Sequence, residues 1–69
     1  MALKQLDALR LAKTKPWYKD NLYLSTWSEY RGTRYCILTP DDIIGWGFTW
    51  EKAIADADRR HANTRAKRA

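Results

Sequence analysis

The chain has 69 residues, with four Trp, four Tyr and one Phe, and a formal net charge of +5. A chain this short buries only about 60% of its unfolded surface, so it forms one small domain whose aromatic side chains must supply much of the core. It has a single cysteine, Cys36, which excludes an internal disulfide framework. No apolar run approaches the length of a membrane span, which is about 18 residues. We therefore expect a cytoplasmic protein without a membrane segment.

The positive charge is concentrated at the two ends of the chain. Residues 1–58 carry eight Lys or Arg and eight Asp or Glu, whereas residues 59–69 carry five cations and no acid. The first 19 residues are also basic, and residues 20–58 are acidic by four charges. Polyanions should be attracted to the two ends, whereas the acidic, aromatic middle favours contact with a protein surface.

The N-terminal segment predicts a short amphipathic helix. Residues 2–13 are rich in helix formers, and Leu3, Leu6 and Leu9 recur at three-residue spacing as the expected apolar face. Pro16 should follow the end of this helix, because the residue before a proline is disfavoured in the helical region. The next residues then form a loop that crosses to the first strand.

Three strands are predicted over residues 22–28, 34–39 and 43–48, from their β-branched and aromatic content and their alternation. Gly32 and Pro40 lie in the two reversals between them, where glycine and proline favour turns. The three strands therefore form an antiparallel meander.

From Thr49 the apolar period changes from 2 to 3.6 residues, which predicts a second helix ending near Ala62. Thr49 is the expected N-cap, and Glu51 lies in the first turn. One face of this helix collects Trp50, Ala53, Ile54, Ala57 and His61. The resulting fold class is α+β, a two-layer αβββα sandwich with both helices on one face of the sheet. We expect a single domain over residues 1–63 and a basic, flexible tail over residues 64–69.

The third strand allows two arrangements of the sheet. Side chains alternate between the two faces of a strand. Ile44, Trp46 and Phe48 should therefore point to one face, and Ile43, Gly45 and Gly47 to the other. If a helix packs on the glycines, the aromatic residues form an exposed surface that can stack bases or anchor a partner. If the aromatic residues form the core, the glycines face water. We favour the second arrangement, because small domains do not readily leave large aromatic side chains exposed.

Residues 35–41 and 47–57 resemble the N-terminal fold of HicB-like antitoxins, whose third strand enters a helix through a Gly-x-Thr-x-Glu-x-Ala turn. Gly47, Thr49, Glu51 and Ala53 stand at these positions. Residues 30–32 and 46–57 are similar to plant-type AP2 domains and to integrase arm-binding domains, which lay a three-stranded sheet on DNA. The helix-sheet-helix order also resembles double-stranded RNA-binding domains. The HicB-like resemblance covers about residues 22–60, and it implies the fold more than an activity.

Catalysis has little support in the sequence. His61 is the single histidine and is expected to pack on the apolar helix face, and together with Cys36 it falls short of the three or four ligands of a metal site. The adjacent Asp41 and Asp42 follow a proline and are expected to form a turn. Residues 45–47 lack the further glycine and the lysine of a phosphate-binding loop. We expect no enzyme activity, no metal and no cofactor.

Two binding functions stay open. The first is a non-enzymatic regulatory module that binds nucleic acid, with basic termini contacting phosphates and an aromatic sheet beside them. The candidate residues are Lys13, Lys15, Lys19, Trp27, Arg31, Arg34, Trp46, Arg59, Arg60, Arg65, Lys67 and Arg68. The second is a protein-binding inhibitor or adaptor, of the kind encoded by phages and mobile elements, that uses its acidic aromatic middle to block a host or partner protein. Tyr and Trp are enriched at such interfaces, and a homodimer is a further option.

Overall fold

The chain forms two helices and one three-stranded sheet. A computed structural model describes residues 3–68, with side chains described for residues 3–64. Helix α1 (Gln5–Ala12) is followed by strands β1 (Tyr23–Glu29), β2 (Gly32–Thr39) and β3 (Asp42–Gly47) and by helix α2 (Trp50–Arg68). The strands pair antiparallel in the order β1-β2-β3. The α+β fold class and the αβββα order predicted from the sequence are therefore confirmed.

Two tight turns join the strands where the sequence predicts them. Tyr30 and Arg31 separate β1 from β2, and Gly32 follows with a φ of +130°, a conformation that residues with a Cβ atom rarely adopt. Pro40 and Asp41 separate β2 from β3, and the restricted φ of proline favours a turn at this position.

Helix α1 is shorter than predicted and buries alanines in place of leucines. Ala8 and Ala12 have no exposed surface, whereas Leu6 is 59% exposed. Leu3 and Leu9 are partly buried at the edge of the core. The predicted apolar face is therefore wrong for Leu6. Two small residues one turn apart lie on the same side of a helix and allow α1 to approach α2 closely.

Helix α2 packs directly on the glycines of β3. A Cβ atom at Gly45 would lie 2.6 Å from the backbone nitrogen of Ala57 and 2.7 Å from the carbonyl oxygen of Ala53. A Cβ atom at Gly47 would lie 2.6 Å from the Cβ of Lys52. The arrangement favoured from the sequence, with the glycines in water, is therefore wrong. Small residues on both surfaces let the helix come close enough to fill the interface without voids.

A β-bulge alters the alternation expected for β3. Gly45 lies opposite Ile37, and Ile43 lies opposite Leu38, so Ile44 is the extra residue. Ile44 packs against the core, and not on the opposite face as strict alternation predicts. A bulge sets two residues of one strand against one residue of its neighbour, and the sequence carries no mark of it.

The core lies between the helices and one face of the sheet. Trp17, from the loop after α1, is 5% exposed, and Trp50 packs edge-on against Tyr35 with their ring centroids 4.9 Å apart. The core residues are Ala8, Ala12, Trp17, Leu22, Ile37, Trp50, Ala53, Ile54 and Ala57. Two of the four tryptophans are therefore core residues, and the other two lie elsewhere.

Helix α2 extends past its packed part. The hydroxyl oxygen of Thr49 accepts a hydrogen bond from the backbone N–H of Lys52 at 3.1 Å, which confirms the predicted N-cap. His61 is half-buried, and residues 62–64 are exposed. The helix continues to Arg68 and does not end near Ala62, because residues 58–68 contain no Gly or Pro to interrupt it. Neither helix within residues 3–68 has the length and apolarity needed to cross a membrane.

Candidate functional site

The face of the sheet opposite the helices is not covered by any other element of residues 3–68. Its residues, which we call the open face, are Tyr23, Ser25, Trp27, Glu29, Arg34, Cys36, Leu38, Ile43 and Trp46. Phe48, just beyond β3, packs edge-on against Trp46 with a centroid distance of 5.7 Å. Trp27 is 43% exposed and Phe48 39% exposed. The second pair of tryptophans thus lies on a surface and not in the core.

Arg34 lies at the centre of the open face. Its Nη2 is 2.8 Å from a carboxylate oxygen of Glu29, and its Cζ lies 4.3 Å from the ring centroid of Trp46, a cation–π contact. Its Nε is buried and has no hydrogen-bond partner among the described side chains and backbone. The pairing with Glu29 leaves the open face without net charge, and the guanidinium covers one side of the Trp46 ring.

Cys36 lies beneath this layer of side chains. It has no exposed surface and stands opposite Ser25 on one side and Trp46 on the other. Burial raises the pKa of the Cys36 thiol, and the lowering effect of the Arg34 charge is the smaller one. A neutral, enclosed thiol acts as a small packed residue and not as a nucleophile.

A groove runs between the edge of β3 and helix α2. It is lined by the rings of Trp46 and Phe48 and by Lys52, Asp56, Arg59 and Arg60 of α2. Three cations therefore face one carboxylate beside two aromatic rings. In this groove the predicted cations Arg59 and Arg60 of α2 meet Trp46, a predicted aromatic residue of the sheet.

Asp56 organises the groove. Its side chain is 9% exposed, and one carboxylate oxygen accepts a hydrogen bond from the backbone N–H of Trp46 at 3.1 Å. The same carboxylate pairs with Arg59 and lies 2.9 Å from the Nε of Arg60. Burial alone would raise the pKa of Asp56, but the hydrogen bonds from Arg59 and Trp46 and the charge of Arg60 outweigh it and lower the pKa. The ionised carboxylate thus holds both guanidinium groups beside the rings and occupies an outward N–H of the edge strand.

Asp58 anchors the other side of α2. One carboxylate oxygen accepts a hydrogen bond from the indole N–H of Trp17 at 2.7 Å, and the other lies 3.1 Å from the Nζ of Lys15. Burial alone would raise the pKa of Asp58, but these hydrogen bonds and the charges of Lys15 and His61 outweigh it and lower the pKa. Lys15, a predicted phosphate contact, is therefore engaged in holding the loop after α1 against α2.

The structure divides the predicted site residues into separate groups. Trp46, Arg59 and Arg60 converge in the groove. Trp27 and Arg34 lie on the open face, with Arg31 exposed at the turn that ends it. Lys13 is exposed at the end of α1, and Lys19 borders a cleft that also contains Arg60 and His61. The side chains of Arg65, Lys67 and Arg68 lie outside those that the structure describes.

Three residues of the groove are missing from the predicted site, namely Phe48, Lys52 and Asp56. A signal for two of them exists in the sequence, because Lys52, Asp56 and Arg59 recur at positions i, i+4 and i+7 and so share one helical face.

Among the described side chains no group of three or more His, Cys, Asp or Glu residues is placed to hold a metal ion. The chain matches no family model, and no curated protein or solved structure matches it either. The resemblances to HicB-like, arm-binding and double-stranded RNA-binding domains thus stay predictions, and functional inference depends on the geometry of this chain.

Proposed function

We propose that the protein is a small, non-enzymatic regulatory module that binds nucleic acid through helix α2 and the groove beside it. The observation that carries this proposal is the meeting of Lys52, Arg59 and Arg60 with the rings of Trp46 and Phe48. Lysine and arginine contact phosphate oxygens, and exposed aromatic rings stack on bases that are not paired in a duplex. The groove offers both kinds of contact within one surface.

The C-terminal half of α2 extends this basic surface. No acid follows Asp58, and Arg65, Lys67 and Arg68 occupy its last turns. Residues 62–64 are exposed, so a polyanion can approach this part of the helix without any rearrangement of the fold. An α-helix about 10–12 Å across also fits a DNA major groove that is about 12 Å wide.

The open face contributes less to this proposal than the sequence suggests. Arg34 is paired with Glu29, so it adds no net charge for phosphate. It also lies on the ring of Trp46, which occupies one of the two surfaces that a base would use. We therefore propose that α2 and the groove make the nucleic-acid contact, with Trp27 and Arg34 outside it.

The proposal is tested by a salt titration of binding to duplex DNA, duplex RNA and single-stranded RNA, followed by fluorescence anisotropy. Binding should weaken steeply with salt, with a log–log slope of about −0.9 per phosphate neutralised on B-DNA. The double variant Lys52→Ala/Arg59→Ala should bind more weakly and show a slope shallower by about 2. Lys4→Ala/Arg10→Ala removes one exposed lysine and one exposed arginine from the helix α1 segment and should change binding much less.

Equal losses in the two double variants would show that only net charge matters and would contradict a site at the groove. Absence of binding by the parent protein at low salt would contradict the proposal altogether. The alternative of a protein-binding inhibitor or adaptor would then be preferred, because the uncharged, aromatic open face suits a protein surface better than a polyanion.

A further inference from the structure

We infer that the open face is the interface of a homodimer in which two copies pack sheet against sheet about a two-fold axis. This inference is tested without nucleic acid. The centre of the open face, formed by Trp27, Arg34 and Cys36, lies on the opposite side of the sheet from helix α2. Trp46 and Phe48, at the edge of β3, are shared with the groove proposed to bind nucleic acid. Isologous two-fold dimers are the commonest soluble oligomers, and pairs of sheets commonly pack face to face.

The composition of the open face requires a covering layer. Trp27, Tyr23 and Phe48 are each about two-fifths exposed or more, on a chain whose helices cover only the other face of the sheet. Trp46 and Ile43 are half-buried, and Trp46 packs edge-on against Phe48. Contiguous exposed apolar surface of this kind marks an interaction site, and aromatic residues are enriched at the centre of interfaces.

The charge of the open face suits a second copy. Glu29 and Arg34 neutralise each other within one face, so two such faces meet without net repulsion. Arg59 and Arg60 belong to α2, which packs on the other side of the sheet. Face-to-face packing therefore brings the uncharged surfaces of two molecules together and leaves their basic helices on the outside.

The two ends of the sheet carry opposite charge, which selects the orientation of the second copy. Arg31 is exposed at the β1–β2 turn, and Asp41 and Asp42 are exposed at the β2–β3 turn. The turns lie at opposite ends of β2, whose eight residues span about 25 Å, well beyond the Debye length of about 8 Å at physiological salt. If the two-fold axis ran parallel to the strands, the Arg31 turns of the two copies would meet, and so would their acidic turns. If the axis runs across the strands, Arg31 of each copy lies against the acidic turn of the other.

The edge of β3 is a poorer site for the second copy. The outward N–H of Trp46 is already bonded to the carboxylate of Asp56, and an edge strand needs that group to pair with another chain. The apolar groove between α1 and β1, which Leu6 and Leu9 line, is another competitor, and nothing in its charge selects a second copy.

The test measures the association state of the full chain by sedimentation velocity across a concentration series, with and without substitution at the two competing surfaces. The parent should dimerise. Trp27→Lys should weaken the dimer at least about a hundredfold, since an interface tryptophan is a frequent hot spot and is present twice in a two-fold dimer. Leu6→Lys makes the same apolar-to-lysine change on α1 and should leave the dimer intact. Circular dichroism verifies that each variant is folded.

A charge exchange tests the orientation without touching the aromatic residues. Arg31→Asp alone and Asp41→Arg alone should each weaken the dimer by about two- to fivefold per ion pair, and the double variant should recover the parent affinity at low salt. Asp41 is chosen because the Asp42 carboxylate already accepts a hydrogen bond from the backbone N–H of Ile43 at 2.8 Å.

Three outcomes would overturn the inference. The first is that the parent stays monomeric at every concentration, even if it binds a different protein. The second is dissociation by Leu6→Lys with Trp27→Lys still dimeric, which would assign the interface to the groove between α1 and β1. The third is that the double charge variant dimerises more weakly than both single variants, which would exclude the orientation in which Arg31 of each copy meets the acidic turn of the other.

Discussion

Gly45 is the residue on which the two-layer packing depends most directly. The atoms nearest to an added Cβ belong to the backbone of α2, at 2.6 and 2.7 Å, and backbone cannot move aside as a flexible side chain can. We expect Gly45→Ala to destabilise the protein by about 3 kcal/mol or more. Urea unfolding followed by far-UV circular dichroism measures this loss, which is large for a domain of this size.

A second substitution tests the cause of that loss. The added Cβ at position 45 would also lie 2.8 Å from the Cβ of Ala57, so Ala57→Gly removes the side-chain contact but leaves the backbone contacts. We therefore expect Ala57→Gly to fail to rescue Gly45→Ala. Recovery of the parent midpoint in the double variant would show that the close approach involves side chains alone.

Helix α2 is held on its two sides by carboxylates that need to be ionised. The carboxylate of Asp56 accepts a hydrogen bond from the backbone of β3, and that of Asp58 accepts one from Trp17 and forms a salt bridge with Lys15. The pKa of each carboxyl is lower in the folded protein than its ordinary value of about 3.9. Groups of this kind contribute stability that is present above the unfolded pKa and is lost as the pH falls through the folded pKa.

We therefore expect the free energy of unfolding to fall as the pH is lowered below about 4. Asp58→Asn keeps an oxygen that can accept the Trp17 hydrogen bond but cannot titrate, so its stability should depend less on pH in this range. Urea midpoints measured from pH 7 to pH 3 for both proteins give the comparison. Parallel pH profiles would show that Asp58 does not contribute to acid unfolding.

For the molecule as a whole, the main distinction is between the packed body and the C-terminal part of α2, which is basic in sequence. Side chains of residues 62–64 are exposed, and Arg65, Lys67 and Arg68 add three positive charges beyond them. We expect deletion of residues 64–69 to leave the melting temperature within a few degrees of the parent, because the side chains of residues 62–64, where the deletion begins, are already exposed.

The same deletion should weaken nucleic-acid binding and make the log–log salt slope shallower by up to about 2.7, the value for three phosphate contacts. Anisotropy titrations at two or more salt concentrations measure this slope. Unchanged affinity in the truncated chain would remove the end of α2 from the proposed interface and confine any contact to the groove. This deletion should not change the affinity of the dimer inferred for the open face.

The order of the elements was predictable because the signals for it are local. Pro40 and Gly32 mark turns by their own backbone preferences, and Thr49 caps α2 through a bond to a residue three positions away. The change of apolar period at Thr49 likewise needs no knowledge of the rest of the chain. Element ends were less accurate, and α2 in particular runs on to Arg68 because nothing in its last turns interrupts a helix.

The sequence alone specifies the set of elements and the uneven distribution of charge between the ends and the middle. The tertiary structure selects which face of the sheet is covered, because alternation along β3 is the same from either side and the choice depends on how closely Ala57 can approach Gly45. It also decided that Ala8 and not Leu6 enters the core. The groove also depends on the tertiary structure, since Trp46 and Asp56 are ten positions apart in the sequence and meet only when the helix folds back along the strand edge.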